Sequence, residues 1–197
     1  MSRVLIIRWF FIIVSLGLVG CVSVSPKVEV GPVSSTVHLL QPSSYGGKLV
    51  AQQLMSVEYQ QQQHRLRMIL DITPQKVTLV GLTSLSVPVF RVSWDGVQLQ
   101  SQSNIPNDAG IINAQQVMED IMLALWPKSS LQPLLSQKGW ILHVEEQNRY
   151  FTDVNQSIMM TITYTNHRQA NGEIRVHYED VDMGYRLKTL QWDTADE

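Results

Sequence analysis

The sequence has 197 residues, with 15 Lys and Arg against 17 Asp and Glu and a formal net charge of −2. This length suits one domain with a sizeable core, and the weakly acidic balance argues against a nucleic-acid partner. The single cysteine, Cys21, excludes an internal disulfide.

The first 21 residues predict secretion and a lipid anchor. Arg3 and Arg8 precede the apolar run of residues 9–16, and Leu18-Val19-Gly20 leads directly into Cys21. A basic start, an apolar stretch and small residues before a cleavage point are the pattern of a secretory signal. A cysteine in this position resembles the bacterial lipobox, in which the thiol is acylated and the leader is removed. We therefore expect Cys21 to carry the lipid anchor.

This segment has two other interpretations, an ordinary signal peptide and a single membrane-spanning helix. The apolar run is shorter than the ~20 residues that a spanning helix needs. Val22 follows the cysteine where many inner-membrane lipoproteins carry Asp. Resemblance to that sorting rule implies the outer membrane, with the protein anchored on the periplasmic face.

The composition changes after the cysteine and again near residue 48. Pro, Gly and Ser recur over residues 22–47 and predict a flexible tether rather than a packed core. We expect a signal peptide over 1–20, the lipidated Cys21 with its tether over 21–47, a single domain over 48–192 and a short tail over 193–197.

The first half of the domain alternates at period two, which predicts strands. Met55 and Val57 share one face of a strand, and Met68 and Leu70 share a face of the next. Further on, Asp95-Gly96 predicts a tight hairpin in which both central residues have positive φ.

The pattern becomes helical at Asn113, which is a suitable N-cap with Gln116 in the acceptor position of a capping box. Apolar residues at helical spacing continue to Leu125, and Trp126-Pro127 ends the helix. A short second helix is expected over residues 131–137.

Alternation resumes over residues 140–144, 158–164, 174–178 and 185–190. Strands, a helical interruption and more strands predict an α+β fold that is mostly β, with a curved antiparallel sheet or unclosed β-barrel and helices covering the opening. Helices do not alternate with strands, so a parallel α/β fold is not expected.

Catalytic and metal-binding motifs are missing from the sequence. There is no nucleophile elbow, no His-Glu-x-x-His pair and no phosphate loop. Two polar clusters, residues 143–146 and 177–182, contain His and acidic residues, and we interpret both as solvated strand ends. We therefore expect no enzymatic activity, no metal and no cofactor.

Methionine and tryptophan recur on the faces that the patterns turn inward. Met is unbranched and polarizable, so a surface rich in Met adapts to ligands of variable shape. A sheet covered by an apolar helix can enclose a cavity for an acyl chain, although an ordinary filled core is the alternative. The candidate cavity-lining residues are Met55, Val57, Met68, Leu70, Phe90, Trp94, Ile121, Leu125, Trp126, Trp140, Ile158, Met160 and Ile162.

Several short segments carry a resemblance to known lipoproteins: Thr83-Ser84-Leu85, the Trp94–Leu99 hairpin, the helix end Met122–Pro127, Gly139-Trp140 and Gly184–Leu187. Together with the lipobox, they resemble a family of bacterial lipoproteins encoded with fatty-acid-like and aryl-polyene biosynthesis genes. The order of elements is also similar to LolB, the outer-membrane lipoprotein receptor family. That resemblance implies an unclosed antiparallel barrel with helices over the opening and a hydrophobic cavity.

The resemblance to LolB also implies a carrier role and a membrane-contact loop. Leu85 matches the exposed apolar residue that this family uses to pass cargo to the membrane, but Ser86-Val87-Pro88 follows it where the family has Gly. We expect a protein that binds and hands over an acyl chain, a polyene lipid or a lipoprotein. The alternatives are a structural or assembly lipoprotein that scaffolds an envelope complex and, third, an enzyme acting on an acyl group.

Overall fold

The structure, a computed structural model, describes residues 38–59, 62–104, 113–166, 171–181 and 183–194. Within these ranges the strands form one antiparallel sheet of ten, accompanied by the helices α1 (Ala114–Leu125) and α2 (Gln132–Lys138). The strands are β1 (Leu49–Tyr59), β2 (Gln62–Ile72), β3 (Val77–Leu82), β4 (Pro88–Trp94), β5 (Leu99–Ser103), β6 (Ile141–Glu145), β7 (Asn148–Thr152), β8 (Ile158–Tyr164), β9 (Glu173–Tyr178) and β10 (Met183–Asp193).

The sheet is open rather than closed into a barrel. Its strand order is β5-β4-β3-β2-β1-β10-β9-β8-β7-β6, so β5 and β6 form the two edges. The long strands β1, β2 and β10 lie side by side in the middle, because β1 pairs with both β2 and β10. This arrangement confirms the predicted mostly-β class with an unclosed antiparallel sheet.

Helix α1 begins as the sequence predicts. The Asn113 side chain accepts hydrogen bonds from the backbone N–H groups of Gln115 and Gln116, each at 3.1 Å. The predicted capping-box contact is wrong, however, because the Gln116 amide donates to Asp120 and Tyr178 instead. The N-terminus therefore relies on asparagine alone, while Gln116 joins a polar cluster against the sheet.

The C-terminal end of α1 is fixed from the sheet below it. Arg149 on β7 donates from its guanidinium to the carbonyl of Leu123 at 2.7 Å, and the Tyr164 hydroxyl donates to the carbonyl of Ala124 at 2.7 Å. Both side chains are buried. They satisfy carbonyls that have no partner within the helix, and the positive guanidinium complements the helix dipole.

Part of the predicted tether belongs to the folded domain. The Leu40 carbonyl accepts a hydrogen bond from the Trp94 indole at 2.7 Å, and the Ser44 hydroxyl accepts one from the Trp126 indole at 2.9 Å. Leu40 is buried, and the Tyr45 ring lies 5.1 Å from the Trp126 ring. We call residues 38–47 the strap. It packs on the core, so the expected tether over 21–47 is wrong for these residues, and residues 21–37 lie outside the described ranges.

The predicted C-terminal tail also begins too early. β10 continues to Asp193, which pairs with Val50 of β1. The tail prediction missed this because the sequence becomes polar before the backbone pairing ends. Residues 195–197 lie outside the described ranges.

The turn between β4 and β5 forms a hairpin, but not of the predicted type. Gly96 has a φ of 92°, whereas Asp95 is not among the residues with positive φ. The Asp95 carboxylate instead accepts from the backbone N–H groups of Val97 and Gln98, at 2.9 and 2.7 Å. Asp95 thus closes a longer loop through its side chain, as Asx turns do.

Candidate functional site

An apolar cavity of about 230 Å³ lies between α1 and the inward face of the sheet. Nearly all its walls are aliphatic, aromatic or thioether groups, and the polar residues among them are Gln53, Asp120 and Tyr185. The cavity is lined by Gln53, Met55, Val57, Met68, Leu70, Leu79, Phe90, Val117, Asp120, Ile121, Ala124, Leu125, Ile174, Val176, Tyr185 and Leu187.

Strand register brings the sheet side of this cavity together. Val57 on β1 lies opposite Tyr185 on β10, which lies opposite Val176 on β9. The next inward row consists of Met55, Leu187 and Ile174. Because successive side chains of a strand alternate between faces, two such rows place their side chains on one surface.

The helical wall follows from the 3.6-residue period. Val117, Ile121, Ala124 and Leu125 are separated by three or four positions, so they share one face of α1. Asp120 lies on that same face and is the one charged residue of the cavity wall among the described residues. The helix thus covers the sheet with an apolar stripe that is interrupted by a carboxylate.

The cavity is partly open, and its accessible residues indicate where. Met68 and Leu70 are buried, whereas Val57 and Tyr185 are only half-buried. By the strand register, these half-buried residues lie toward the end of the sheet where β3 turns into β4. That turn carries Leu85, and we call this end of the sheet the mouth end.

About half of the residues predicted to line the cavity do line it. The structure brings together Met55, Val57, Met68, Leu70, Phe90, Ile121 and Leu125. All lie on β1, β2, β4 or α1, where period-two and helical spacing point to the same space.

The remaining predicted residues lie elsewhere. Met160 and Ile162 are buried in the core beyond β9, where side chains fill the space. Trp94 and Trp126 are held by the strap, and the Trp140 ring lies 5.9 Å from the Phe151 ring. Ile158 is 45% exposed at the start of β8. Met160 and Ile162 do lie on the inward face of β8, but the sequence does not show how far α1 extends over that face.

Several lining residues are not among those that the sequence predicts. Four of them alternate on predicted strands, so the same-face rule could have found them: Ile174, Val176, Tyr185 and Leu187. Asp120 had no such signal, because an acidic residue in a helical stripe is normally interpreted as solvated. The other missed residues are Gln53, Leu79, Val117 and Ala124.

Asp120 is the centre of a polar cluster on the cavity wall. It is 8% exposed and its Oδ1 accepts hydrogen bonds from the Tyr178 hydroxyl and from the Gln116 amide, the latter at 2.7 Å. Its Oδ2 accepts from the Tyr185 hydroxyl at 3.0 Å. Burial raises the pKa of Asp120, and these hydrogen bonds oppose the rise. Burial and the neighbouring Asp120 raise the pKa of both Tyr178 and Tyr185.

A second buried carboxylate, Glu119, directly precedes Asp120 on the helix but does not line the cavity. Glu119 pairs with Lys138 of α2 at 2.5 Å and accepts from the Gln115 amide at 2.9 Å. Lys138 also lies 4.8 Å from the Trp140 ring. This pair joins the two helices, whereas Asp120 joins α1 to β9 and β10.

The polar clusters noted in the sequence are separate from the cavity. His143 is hydrogen-bonded to Thr152 at 3.1 Å, and His177 lies 3.6 Å from Glu179 on an exposed strand end. Among the described residues, no group of three or more His, Cys, Asp or Glu side chains is arranged to hold a metal ion. No helix within those residues is long and apolar enough to cross a bilayer.

An open antiparallel sheet with a helix across its inward face and an apolar cavity between them defines an unclosed half-barrel. The model of the DUF3261 family, described as a protein of unknown function, matches residues 50–191. The chain belongs to that family. None of the curated proteins matches this sequence.

Two solved structures are similar to the chain. A domain from Vibrio parahaemolyticus, provisionally described as an outer membrane lipoprotein-sorting protein, has 11% identity and a TM-score of 0.45, covering 76% of this chain and 86% of that chain. A DUF1329 family protein from Desulfovibrio piger has 9% identity and a TM-score of 0.40, with the same coverage of 76% and 86%. The resemblance to lipoproteins encoded with aryl-polyene genes stays a prediction.

Proposed function

We propose that this protein is a lipid-anchored carrier of the bacterial envelope that binds an acyl chain in its cavity and hands it over. The observation that supports this proposal is the apolar cavity between α1 and the sheet. Ligand sites of this kind are mostly apolar with a few placed polar groups, as Gln53, Asp120 and Tyr185 are here. The proposal involves binding and transfer without a chemical reaction.

The cavity volume limits what it can hold. About 230 Å³ is slightly below the ~300–1,000 Å³ of pockets for drug-sized ligands. One acyl chain, or the end of a polyene, therefore suits the space better than several chains. Each buried methylene contributes about 0.8 kcal/mol, so a short length of chain is enough for measurable affinity.

The proposed anchor is Cys21, with the outer membrane as the location and the periplasmic face as the site of the domain. Cys21 lies outside the described residues, and its lipidation rests on the lipobox pattern. The strap joins the fold at the end of the sheet near Trp94 and Trp126, opposite the mouth end. Residues 22–37 could reach at most ~3.3–3.6 Å per residue, about 55 Å, which allows the mouth end to approach the membrane.

Leu85 is the proposed membrane contact during transfer. It is 85% exposed at the mouth end, and Val87 beside it is also exposed. The turn is well formed: the Thr83 N–H donates to the Val87 carbonyl at 2.9 Å, and the Ser86 N–H donates to the Thr83 carbonyl at 2.9 Å. A fixed turn that presents apolar side chains at the mouth end of the sheet favours exchange of a hydrophobic ligand with a bilayer.

The proposal is tested by native mass spectrometry of the protein purified from the envelope and by uptake of a fluorescent fatty acid. Val57→Arg places a charge in the cavity at a half-buried position, and Ile121→Trp fills it with apolar bulk. Both should reduce uptake strongly while the thermal unfolding transition remains.

Two matched controls separate the cavity from the rest of the protein. Met160→Arg alters a buried residue outside the cavity and should unfold the domain, because a buried unpaired charge costs several kcal/mol. Leu190→Arg alters an exposed position and should leave both folding and uptake unchanged. Absence of lipid in the purified protein together with no uptake by wild type would reject the carrier and favour a structural or assembly lipoprotein.

A further inference from the structure

The polar groups of the cavity differ in what they can offer a ligand. Oδ1 of Asp120 already accepts two hydrogen bonds, while Oδ2 accepts one, from Tyr185. A carboxylate oxygen has two lone pairs, so Oδ2 keeps one free acceptor position. The Tyr185 hydroxyl donates its only proton to Asp120, so only its oxygen lone pairs remain for a ligand. This side of the cavity thus presents acceptors and no free donor.

The charges around Asp120 also favour a ligand with a hydrogen-bond donor over an anionic ligand. The groups that face it are the hydroxyls of Tyr178 and Tyr185 and the amide of Gln116, all neutral donors. The nearest cation on the helices, Lys138, is paired with Glu119. Gln53, the other polar lining residue, is neutral and donates to Thr189 at 3.3 Å. The positive charge of Lys138 reaches Asp120 only weakly, and none of the described residues that line the cavity is a cation. An anion in this space would therefore meet the carboxylate directly.

We propose that the cavity selects acyl chains that carry an uncharged hydrogen-bond donor, such as a hydroxyl, and rejects chains that end in a free carboxylate. This inference rests on the proposed carrier function and names its ligand class. A hydroxyl donates to Asp120 Oδ2 or to the Tyr185 oxygen, whereas a carboxylate has no proton to donate and repels Asp120. A methyl ester lacks both the donor and the charge, so it takes an intermediate position.

The test uses three ligands with the same chain and different ends: 1-decanol, methyl decanoate and decanoate. Each displaces the neutral fluorophore N-phenyl-1-naphthylamine from the chain that starts at Val22, which contains every described residue. We expect 1-decanol to bind about tenfold or more tighter than decanoate, because its hydroxyl donates a hydrogen bond to a charged group, whereas decanoate is repelled by that group. Methyl decanoate should fall between them.

Asp120→Asn tests the residue itself, since it keeps the shape while it removes the charge and adds a donor. Decanoate should then approach 1-decanol in affinity. Glu119→Gln is the matched control: it neutralises the adjacent buried carboxylate, which pairs with Lys138 outside the cavity. This control should retain the wild-type order of ligands.

The outcomes separate the inference from the function on which it rests. If wild type binds decanoate or the methyl ester as tightly as 1-decanol, the ligand class is wrong but the carrier survives. If the fluorophore and all three ligands fail to bind wild type, the carrier proposal fails. The comparison of the three ligands on the wild-type protein tests the proposed ligand class even if Asp120→Asn does not fold.

Discussion

The Phe90 ring lies directly over Gly81, its cross-strand partner on β3, and a Cβ at residue 81 would overlap the ring. The two residues pair in the ladder between β3 and β4, beside a register shift at Gly81/Leu82. Phe90 lines the cavity, so the absence of a side chain at Gly81 lets the ring lie flat against the sheet. The free space above the sheet therefore depends on a glycine that does not itself line it.

Gly81→Ala should reduce the volume of the cavity by pushing Phe90 toward α1. Overpacking of this kind typically costs about 1–3 kcal/mol. We expect a lower free energy of unfolding in urea together with weaker binding of N-phenyl-1-naphthylamine. An alanine that raises stability, as it does in an unconstrained strand, would contradict the packing described here.

The double variant Gly81→Ala/Phe90→Leu is the control for this pair. A smaller side chain at residue 90 leaves room for the new methyl group, so the double variant should lose less stability than the sum of the single variants. Contacting residues typically show coupling of about 0.5–3 kcal/mol. Strictly additive effects would mean that the ring does not lie over residue 81.

Asp120 should make stability depend on pH in a definite direction. Burial raises its pKa above the ordinary value of 3.8, so the folded protein holds the proton more tightly than the unfolded chain. The stability from this site is greatest below the ordinary pKa and is lost as the pH rises through the raised value. Asp120→Asn removes the dependence, so its Tm relative to wild type should rise as the pH increases above about 4.

Asp95→Asn provides a control of opposite sign. Backbone N–H groups of Gln98 and Val97 lower the pKa of Asp95, so its stabilising effect is present at neutral pH and is lost as the pH falls through the lowered value. The Tm deficit of Asp95→Asn should shrink on acidification. A Tm difference for Asp120→Asn that is the same at every pH would contradict the raised pKa.

The strap should contribute measurably to stability, although the sequence predicts a flexible segment there. A chain that starts at Lys48 loses the buried side chain of Leu40 and the acceptors of two indole hydrogen bonds. Burial of Leu is worth about 1.5–3 kcal/mol and each hydrogen bond about 0.5–1.5 kcal/mol. We expect a loss of roughly 3–5 kcal/mol in urea denaturation relative to a chain that starts at His38.

A point substitution can check the strap without truncation. Leu40→Ala should account for much of the loss, whereas His38→Ala, at an exposed position, should change stability by less than about 0.5 kcal/mol. If the chains starting at residues 38 and 48 are equally stable, the strap does not stabilise the domain and is part of the flexible tether.

These differences show which levels of structure the sequence determines locally. The faces of the strands and the first and last residues of α1 follow from periodicity, because the direction of a side chain depends on its neighbours in the chain. The strap does not, since Leu40 and Ser44 are held by Trp94 and Trp126, which are far away in sequence. Composition rich in Pro, Gly and Ser lowers the tendency to form regular structure, but it does not prevent packing against distant indoles.

The candidate site is likewise predictable only in part from the sequence. The sequence pattern places Met68 and Ile121 on the correct faces, and both line the cavity. It also places Met160 on an inward face, but the cavity ends at β9 before it reaches β8. The lateral extent of α1 over the sheet depends on tertiary packing, which no local pattern contains. The same limit hid Asp120, whose partners Tyr178 and Tyr185 come from strands about 60 residues later.

Leu85→Glu should weaken transfer of a fluorescent acyl ligand from the protein to anionic vesicles, because it replaces an apolar contact with a charge that anionic lipids repel. Ligand binding itself should remain, since Leu85 does not line the cavity. The measurement is the rate of transfer by energy transfer to a dye in the vesicle, compared with the affinity for ligand in the absence of vesicles.

Val97→Glu is the matched control for that experiment. Val97 is 90% exposed, as Leu85 is 85% exposed, but it lies in the loop between β4 and β5 at the opposite end of the sheet. A general effect of added negative charge would slow transfer equally in both variants. If the mouth end contacts the membrane, ligand transfer should slow only in Leu85→Glu. Because the turn is held by the backbone hydrogen bonds of Thr83, this substitution should leave the Tm unchanged. Equal slowing by Val97→Glu would assign the effect to charge and reject Leu85 as the contact.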